Sequence, residues 1–144
     1  MRFWDSSAIV TLVVEEPGSR GCRELLRADT VQVVWSLTRT EILSAIWRQN
    51  RRGLLSKAAL NAAEGRILKL AARWAEVIVV DLVREEAERL LRIHPLRAAD
   101  ALQLGAACIW AEGKYRGRQF VSLDDDLIAA ARTEGFETIV PASK

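Results

Sequence analysis

The chain alternates between short runs of β-branched and aromatic residues and longer segments with apolar residues at helical spacing. The short runs predict five β-strands, and the longer segments predict helices between them. The predicted strands are Arg2–Trp4, Val31–Trp35, Val77–Val80, Gln119–Ser122 and Glu137–Val140. Because Val77–Val80 is apolar throughout, it is typical of a parallel strand that is covered on both faces. The alternation predicts an α/β domain with a mostly parallel, five-stranded sheet and right-handed crossovers.

The remaining periodic segments predict helices, one of which is buried. The predicted helices are Ala8–Glu15, Ser19–Ala28, Leu37–Arg51, Ser56–Trp74, Val83–Ile93, Arg97–Trp110 and Leu127–Glu134. The helix Arg97–Trp110 has apolar residues on nearly every side, which indicates a helix inside a core. Asp100 lies in its first turn, where a charge is costly unless it is paired or holds a metal ion. The alternative is an Asp that is favoured by the helix dipole and paired with Arg97.

Size and composition indicate an ordinary globular domain. The 144 residues fit a single domain, residues 1–144, that is large enough to bury a core. The formal charge of +2 is nearly neutral, so net charge alone does not indicate nucleic-acid binding. Cys22 and Cys108 form no CxxC pair and are predicted to be buried thiols. The sequence begins with no signal-peptide pattern and has no apolar run of the ~18 residues that a membrane span needs, so a cytoplasmic protein is expected.

Four acidic residues stand where strands end or where helices begin. Asp5 follows the first strand and Asp124 follows the fourth, while Glu41 and Asp100 lie in early turns of helices. Ligands of open parallel sheets bind outside the carboxyl ends of the strands, and the helices that follow parallel strands begin at that same edge. We therefore expect all four carboxylates to converge on one rim, with Asp126 as a candidate fifth member.

Such a convergence predicts a metal centre. Several carboxylates in one pocket cannot all stay ionised and unpaired, and a hard divalent cation relieves their repulsion. Oxygen ligands suit Mg²⁺ or Mn²⁺, and these ions serve phosphoryl chemistry by activating water and orienting the scissile phosphate. Catalysis of this kind needs no His, Ser or Cys nucleophile. It fits a chain whose single histidine, His94, precedes a proline and is predicted to be structural or exposed.

Each acidic residue also has an ordinary structural interpretation, which its own sequence context leaves open. Asp5 alone is typical of a helix N-cap or a turn residue. Glu41 alone is typical of an exposed helix residue that pairs with a base such as Arg48. The run Asp124–Asp126 is typical of a helix start with favourable dipole contacts.

Two groups of basic residues are candidates for contact with a nucleic-acid backbone, and each is equally typical of a solvated surface. The first group lies along or just past the Glu41 helix and comprises Arg39, Arg48, Arg51 and Arg52. The second group forms the loop before the fourth strand and comprises Lys114, Arg116 and Arg118.

Four segments, taken in order, resemble the motifs of one known family. Asp5-Ser6-Ser7-Ala8 resembles its D-x-S-A opening, and Thr40-Glu41-Ile42 resembles its single Glu early in a helix. The segment Arg97–Leu102 is similar to its R-x-x-D-A-L motif, and Phe120–Asp124 resembles its strand that ends in T/S-x-D. On these motifs the chain resembles, over its whole length, the PIN-domain nucleases, and specifically the VapC-like toxins of prokaryotic toxin–antitoxin pairs.

The resemblance implies a fold, an activity and partners. The fold is a three-layer α/β domain with strand order 3-2-1-4-5 and helices on both faces of the sheet. The activity is that of an endoribonuclease that depends on Mg²⁺ or Mn²⁺. The implied partners are an RNA substrate, a cognate antitoxin protein and a second copy of the chain in a homodimer.

The resemblance also implies a set of site residues. The catalytic quartet is Asp5, Glu41, Asp100 and Asp124. Asp5 and Asp100 are implied as the firmest metal ligands, and Asp124 as a further ligand. Glu41 and Asp124 complete the pocket or act through metal-bound water. Ser7 supports Asp5 with its hydroxyl. Ser122 stands where the family commonly has Thr, and the Asp124–Asp126 run leaves the fourth position ambiguous by up to two residues.

Two other functions compete with the nuclease. One is a catalytically silent PIN-like module that only binds RNA or protein partners. The other is a phosphoacceptor domain of the response-regulator type, which also clusters acids at this edge of a sheet. That class needs a lysine near the end of a late strand, whereas Lys114 lies before its strand and the last strand has none.

Overall fold

The structure, a computed structural model, describes residues 1–143. Its strands are β1 (Arg2–Trp4), β2 (Gln32–Trp35), β3 (Ala75–Val77), β4 (Gln119–Val121) and β5 (Glu137–Ile139). Its helices are α1 (Ser6–Val13), α2 (Ser19–Ala28), α3 (Thr38–Arg51), α4 (Lys57–Ala71), α5 (Val80–Ile93), α6 (Ala98–Ala111) and α7 (Asp125–Glu134). Strands and helices therefore alternate along the chain, as the sequence pattern predicts.

All of the strand pairs are parallel, and the strands lie in the order β3-β2-β1-β4-β5. Strand β1 is central, with Phe3 opposite both Val33 of β2 and Phe120 of β4. The predicted α/β architecture and the strand order 3-2-1-4-5 are confirmed. Since every strand runs in the same direction, all of the carboxyl ends meet at one edge of the sheet.

Alternate residues of the short strands point into two separate cores. Phe3 and Phe120 pack on one face beneath α5, α6 and α7, with ring centroids 5.5 Å apart. Trp4 and Val121, their immediate neighbours in sequence, pack on the other face with α1, α3 and α4. Because successive strand residues face opposite sides, three-residue strands suffice to anchor helices on both faces. The result is the three-layer arrangement that the family resemblance implies.

Helix α6 is buried along most of its length, as its apolar pattern predicts. Its buried residues are Ala101, Gln103, Leu104, Gly105, Ala106, Ala107, Cys108 and Ala111. Small side chains let α5 approach closely: a Cβ atom at Gly105 would stand 3.0 Å from the carbonyl oxygen of Val83. This contact sets the position of α6 and, with it, the position of Asp100 at its amino end.

The predicted strand Val77–Val80 is wrong in both its boundaries and its burial. The strand is Ala75–Val77, and α5 already begins at Val80 rather than at Val83. Strand β3 is an edge strand whose pairing follows β2, and β2 ends at Trp35 opposite Val77. Beyond this point the apolar run has no partner strand. Its side chains at Ile78, Val79 and Val80 are therefore 67%, 45% and 52% exposed.

The other boundaries agree with the prediction to within three residues, the largest difference being the end of α4 at Ala71 instead of Trp74. Two helices start two residues earlier than predicted, because an aspartate caps each of them. Asp5 is the N-cap of α1, which begins at Ser6, and Asp124 is the N-cap of α7, which begins at Asp125. Ser56 caps α4 as its position predicts, accepting a hydrogen bond from the backbone N–H of Ala59.

The structure also bears on the predictions for the two cysteines, the histidine and a membrane span. Cys22 and Cys108 are buried free thiols. The side chain of His94 is 8% exposed and its Nε2 lies 2.7 Å from Glu134 Oε1, which confirms its structural role between α5 and α7. Across residues 1–143, no helix is both long and apolar enough to cross a membrane.

The close approach of α5 and α6 gives a paired test. Gly105→Ala places a methyl group 3.0 Å from Val83 O and 3.1 Å from Ala87 N, so we expect it to lower the free energy of unfolding by about 1–3 kcal/mol. Gly65→Ala is the control, because Gly65 lies exposed in α4 with no neighbouring atom within 4 Å. Better helix propensity raises its stability by about 0.5–1 kcal/mol. Urea denaturation measures both, and a Gly105→Ala protein as stable as the wild type would contradict tight packing.

Candidate active site

The four acidic residues predicted to converge line one pocket of about 120 Å³. The pocket lies where β1 and β4 end and where α1, α3, α6 and α7 begin. Its other lining residues are Ser6, Ser7, Val10, Ile42 and Ala45. Among the described residues that form its wall, none is basic. Asp5, Glu41, Asp100 and Asp124 therefore face one another without a lysine or arginine between them.

Asp5 is the most deeply buried of the four, with 2% of its surface exposed. It directly follows β1, and its backbone N–H donates to Val121 O at 3.0 Å, which ties the position to β4. Its Oδ2 accepts hydrogen bonds from the Ser7 hydroxyl, from the Ser7 backbone N–H at 3.3 Å and from the Ser122 hydroxyl at 2.9 Å. Its Oδ1 meets only the Ser6 hydroxyl, at 3.4 Å. Asp5 thus caps α1 with one oxygen and presents the other to the pocket.

Burial raises the pKa of Asp5 above its usual value, although its hydrogen bonds to Ser7 and Ser122 oppose this effect. The charge of Asp124 raises the pKa of Asp5 further. Asp5 is therefore the N-cap of α1, as one interpretation of its sequence context predicts, and it also lines the pocket.

Glu41 lies one turn into α3, where each of its oxygens has one hydrogen-bond donor. Oε2 accepts from the Ser6 hydroxyl at 2.9 Å, and Oε1 accepts from Gln103 Nε2 at 3.0 Å. Burial raises the pKa of Glu41 to about 7, and the charges of Asp5 and Asp100 add to the rise. The alternative pairing of Glu41 with Arg48 is not realised, since both carboxylate oxygens point to these two neutral donors.

Asp100 and Asp124 complete the group. Asp100 lies in the first turn of α6, and its pKa is raised by burial and then by the charges of Asp124 and Asp5, while Arg97 opposes the rise. Asp124 caps α7 by accepting from the backbone N–H of Leu127 at 2.8 Å. Asp126, the candidate fifth acid, is exposed and lies outside the pocket wall, as does Asp125.

Ser122 connects two of the acids. Its hydroxyl oxygen accepts from the backbone N–H of Asp124 at 3.0 Å, and its hydroxyl donates to Asp5 Oδ2 at 2.9 Å. The Ser7 hydroxyl lies 3.3 Å from it and accepts from the backbone N–H of Leu123 at 3.0 Å. These hydroxyls fix the end of β4 against the end of β1, so the hydroxyl that the resemblance emphasises at position 122 has a structural task.

The donor set fits a hard divalent cation. The charged groups of the pocket wall are all carboxylates, and the mutual repulsion that, after burial, helps raise the pKa values of Asp5, Glu41 and Asp100 is the repulsion that a cation relieves. Within the described residues, no three His, Cys, Asp or Glu side chains already stand as an assembled metal site. Among the described contacts, the oxygens least committed to other partners are those of Asp100, Asp124 Oδ2, and Asp5 Oδ1, which meets only the Ser6 hydroxyl at 3.4 Å.

The two basic groups lie on different elements, one along α3 and the other in the loop before β4. The first group lies along α3 and just past its end, and it comprises Arg39, Arg48, Arg51 and Arg52. All four are exposed, and none of them belongs to an ion pair within residues 1–143. The loop Lys114–Arg118 precedes β4, whereas Asp124 follows it, so this loop lies at the amino edge. There the guanidinium of Arg118 stacks on Trp110 at 4.7 Å.

Two residues that contact Glu41 were not among the predicted site residues. Gln103 reaches it from the interior of α6, and its signal in the sequence is a single amide in a run of small apolar residues on a helix predicted to be buried. The Ser6 hydroxyl lies between Asp5 and Glu41.

Comparison with known proteins identifies the family. Residues 2–133 match the family described as the PIN domain, so the chain belongs to the PIN domain family. PIN domains are generally nucleases that use divalent metal ions. The search of curated proteins found no match.

Solved structures agree with the fold at low sequence identity. PAE2754 from Pyrobaculum aerophilum is 19% identical with a TM-score of 0.62, and the match covers 95% of this chain and 87% of that one. FitAcB from Neisseria gonorrhoeae is 16% identical with a TM-score of 0.63, and the match covers 96% of both chains. At this identity the likeness concerns the fold alone.

The raised pKa of Glu41 predicts how the metal-free protein responds to pH. The pKa rises from 4.5 to about 7 on folding, so the contribution of Glu41 to stability is complete below pH 4.5 and is lost as the pH rises through 7. Asp5 and Asp100, whose pKa values are also raised, add in the same direction. When the pH rises from 4.5 through 7 in EDTA, we expect the free energy of unfolding of the wild type to fall by about 2 kcal/mol more than that of Glu41→Gln. Urea denaturation across this pH range measures the difference, and parallel profiles would contradict it.

Proposed function

We propose that this PIN domain protein, a single domain over residues 1–144, is an endoribonuclease that depends on Mg²⁺ or Mn²⁺. The observation that carries the proposal is the pocket in which Asp5, Glu41, Asp100 and Asp124 face one another with no basic residue in the wall. Carboxylates that face one another without a basic neighbour are typical ligands of a hard divalent cation. Family membership supports the same class of reaction, the hydrolysis of a phosphodiester.

The proposed roles follow from the surroundings of each carboxylate. Asp5, Asp100 and Asp124 line the pocket with carboxylate oxygens that have few other partners, so Asp5 and Asp100 would hold the ion, with Asp124 as a further ligand. Such an ion activates water, orients the scissile phosphate and stabilises the developing negative charge. Glu41, whose carboxylate is oriented by Ser6 and Gln103, accepts the proton of the attacking water.

The exposed arginines of α3 support an RNA substrate. Arg48 lies two turns after Glu41 on the same side of the helix, Arg51 and Arg52 lie at its far end, and Arg39 lies on the opposite side from Arg48. Guanidinium groups bind phosphates in a bidentate manner and independently of sequence. We propose that the RNA backbone follows α3 into the pocket. The loop Lys114–Arg118 is the weaker candidate, since it lies at the amino edge of the sheet.

We further propose that the protein is a VapC-like toxin that acts in the cytoplasm, is neutralised by a cognate antitoxin and forms a homodimer. The order and spacing of the four motifs support the toxin assignment. An exposed apolar group after β3 supports a protein interface, because such patches mark interaction surfaces. It comprises Ile78, Val79, Val80 and Leu82.

Cleavage of a structured RNA tests the nuclease directly. Purified protein with Mn²⁺ is expected to cut the RNA, and Asp5→Asn or Asp100→Asn to reduce the cleavage rate at least about a hundredfold, because each removes a metal ligand. Asp125→Asn is the matched control, since Asp125 is exposed beside the site and outside its wall. Asp124→Asn and Asp126→Asn compared at equal concentration identify the fourth acid. Gel electrophoresis of labelled RNA measures cleavage, and circular dichroism verifies folding.

Full activity of folded Asp5→Asn and Asp100→Asn would remove the nuclease proposal. RNA bound tightly by the wild type, with no cleavage and no Mn²⁺ binding by calorimetry, would favour the silent binding module instead.

Growth of a bacterial host tests the toxin assignment. Induced wild-type protein is expected to arrest growth, and Asp100→Asn at the same expression level is expected to permit it. Co-expression of the small protein encoded beside this gene is expected to restore growth and to co-purify with the toxin. Growth rates and pull-down from the same cultures measure both. Equal growth with wild type and Asp100→Asn would contradict the assignment.

A further inference from the structure

Gln103 is a fully buried amide in the interior of α6. Its side chain is 0% exposed, and the other buried residues of this helix are apolar or carry only a thiol. It lies three residues after Asp100, so the two residues occupy the same side of the helix one turn apart. A carboxamide in such a position lowers stability unless its polar atoms find partners.

Only half of this carboxamide has partners. Nε2 donates to Thr38 Oγ1 at 3.0 Å and to Glu41 Oε1 at 3.0 Å, and both partners lie in the first turn of α3. Oε1 is buried, and in the described part of the chain it has no hydrogen-bond partner. A flipped amide would direct this oxygen at the Glu41 carboxylate and repel it, so the chemistry of the contact fixes the orientation.

The two donors to Glu41 come from different helices. Gln103 approaches Oε1 from α6, and the Ser6 hydroxyl approaches Oε2 from α1 at 2.9 Å. The carboxylate is therefore held on both sides, and the Thr38 hydroxyl, itself 0% exposed, holds the amide. Because Asp100 and Gln103 share α6, one rigid helix carries a proposed metal ligand and also positions Glu41.

We propose that Gln103 is a positioning residue of the nuclease, which sets the orientation of the Glu41 carboxylate relative to Asp100. The contact itself supports this role, because the Gln103 amide donates directly to one carboxylate oxygen of Glu41 and is held in turn by Thr38. The inference rests on the proposed nuclease function.

The decisive variant is Gln103→Met, which keeps the volume of the side chain and removes its donor. We expect kcat for RNA cleavage with Mn²⁺ to fall about tenfold to a hundredfold, because small misplacements of a reacting group have effects of this size. We expect KM for RNA to stay unchanged, since Gln103 is buried and does not reach the substrate. The denaturation midpoint is expected to fall slightly, because Glu41 Oε1 and the buried Thr38 hydroxyl lose a donor, so kcat and KM are measured at a temperature where the variant and the wild type are both fully folded.

Gln32→Met is the matched control. Gln32 is also a buried glutamine, 2% exposed, with one partner, Trp74 Nε1 at 2.9 Å from its Oε1, and with an unpartnered Nε2 among the described contacts. It lies at the start of β2, at the amino edge of the sheet. The same substitution there is expected to leave kcat and KM unchanged.

A double variant identifies the route by which Gln103 acts. If it acts through Glu41, then adding Gln103→Met to Glu41→Gln changes neither the residual kcat nor the Mn²⁺ affinity measured by calorimetry. Independent effects that multiply would overturn the inference. So would a Gln103→Met protein with wild-type kcat while the wild type cuts RNA, and the proposed function would then stand. A wild type that neither binds Mn²⁺ nor cuts RNA would overturn the proposed function and this inference together.

Discussion

Repulsion between carboxylates at the carboxyl edge of the sheet is the constraint on which the site depends. Burial raises the pKa values of Asp5 and Glu41, and neighbouring charges raise them further: Asp124 acts on Asp5, and Asp5 and Asp100 act on Glu41. Two of these acids cannot move away, because Asp5 and Asp124 also cap α1 and α7. The same backbone contacts that start these helices therefore hold like charges together, and a bound cation is the simplest way to stabilise the arrangement.

The two cores give this edge its rigidity. Strand β1 directs Phe3 into one core and Trp4 into the other, so the next residue, Asp5, is fixed from both faces of the sheet. On the other side of the pocket, α6 packs against α5 at Gly105 and brings Asp100 forward. Each proposed metal ligand therefore lies at the end of a strand or the start of a helix whose position is fixed by burial in one of the two cores.

Most of the architecture could be predicted from the sequence, because short β-branched runs and helical spacing report local preferences directly. The convergence of Asp5, Glu41, Asp100 and Asp124 followed from the parallel topology alone. Val77–Val80 was misassigned because an apolar run does not reveal where its partner strand ends, and that end is set by Trp35 on a different strand. The partners of Glu41 were also inaccessible, since Ser6 and Gln103 are 35 and 62 residues away along the chain. Contacts of this range depend on how helices pack, and no local pattern encodes them.

The central claim is that a divalent cation binds between the carboxylates of this pocket. Anomalous diffraction from crystals grown with Mn²⁺ tests it most directly, because the signal locates the ion independently of any activity. The account predicts a manganese peak within coordinating distance of Asp5 and Asp100, roughly 2–2.5 Å from their oxygens, and no such peak in Asp100→Asn crystals. A pocket without a manganese peak, or one closed by an arginine side chain in its place, would contradict the account.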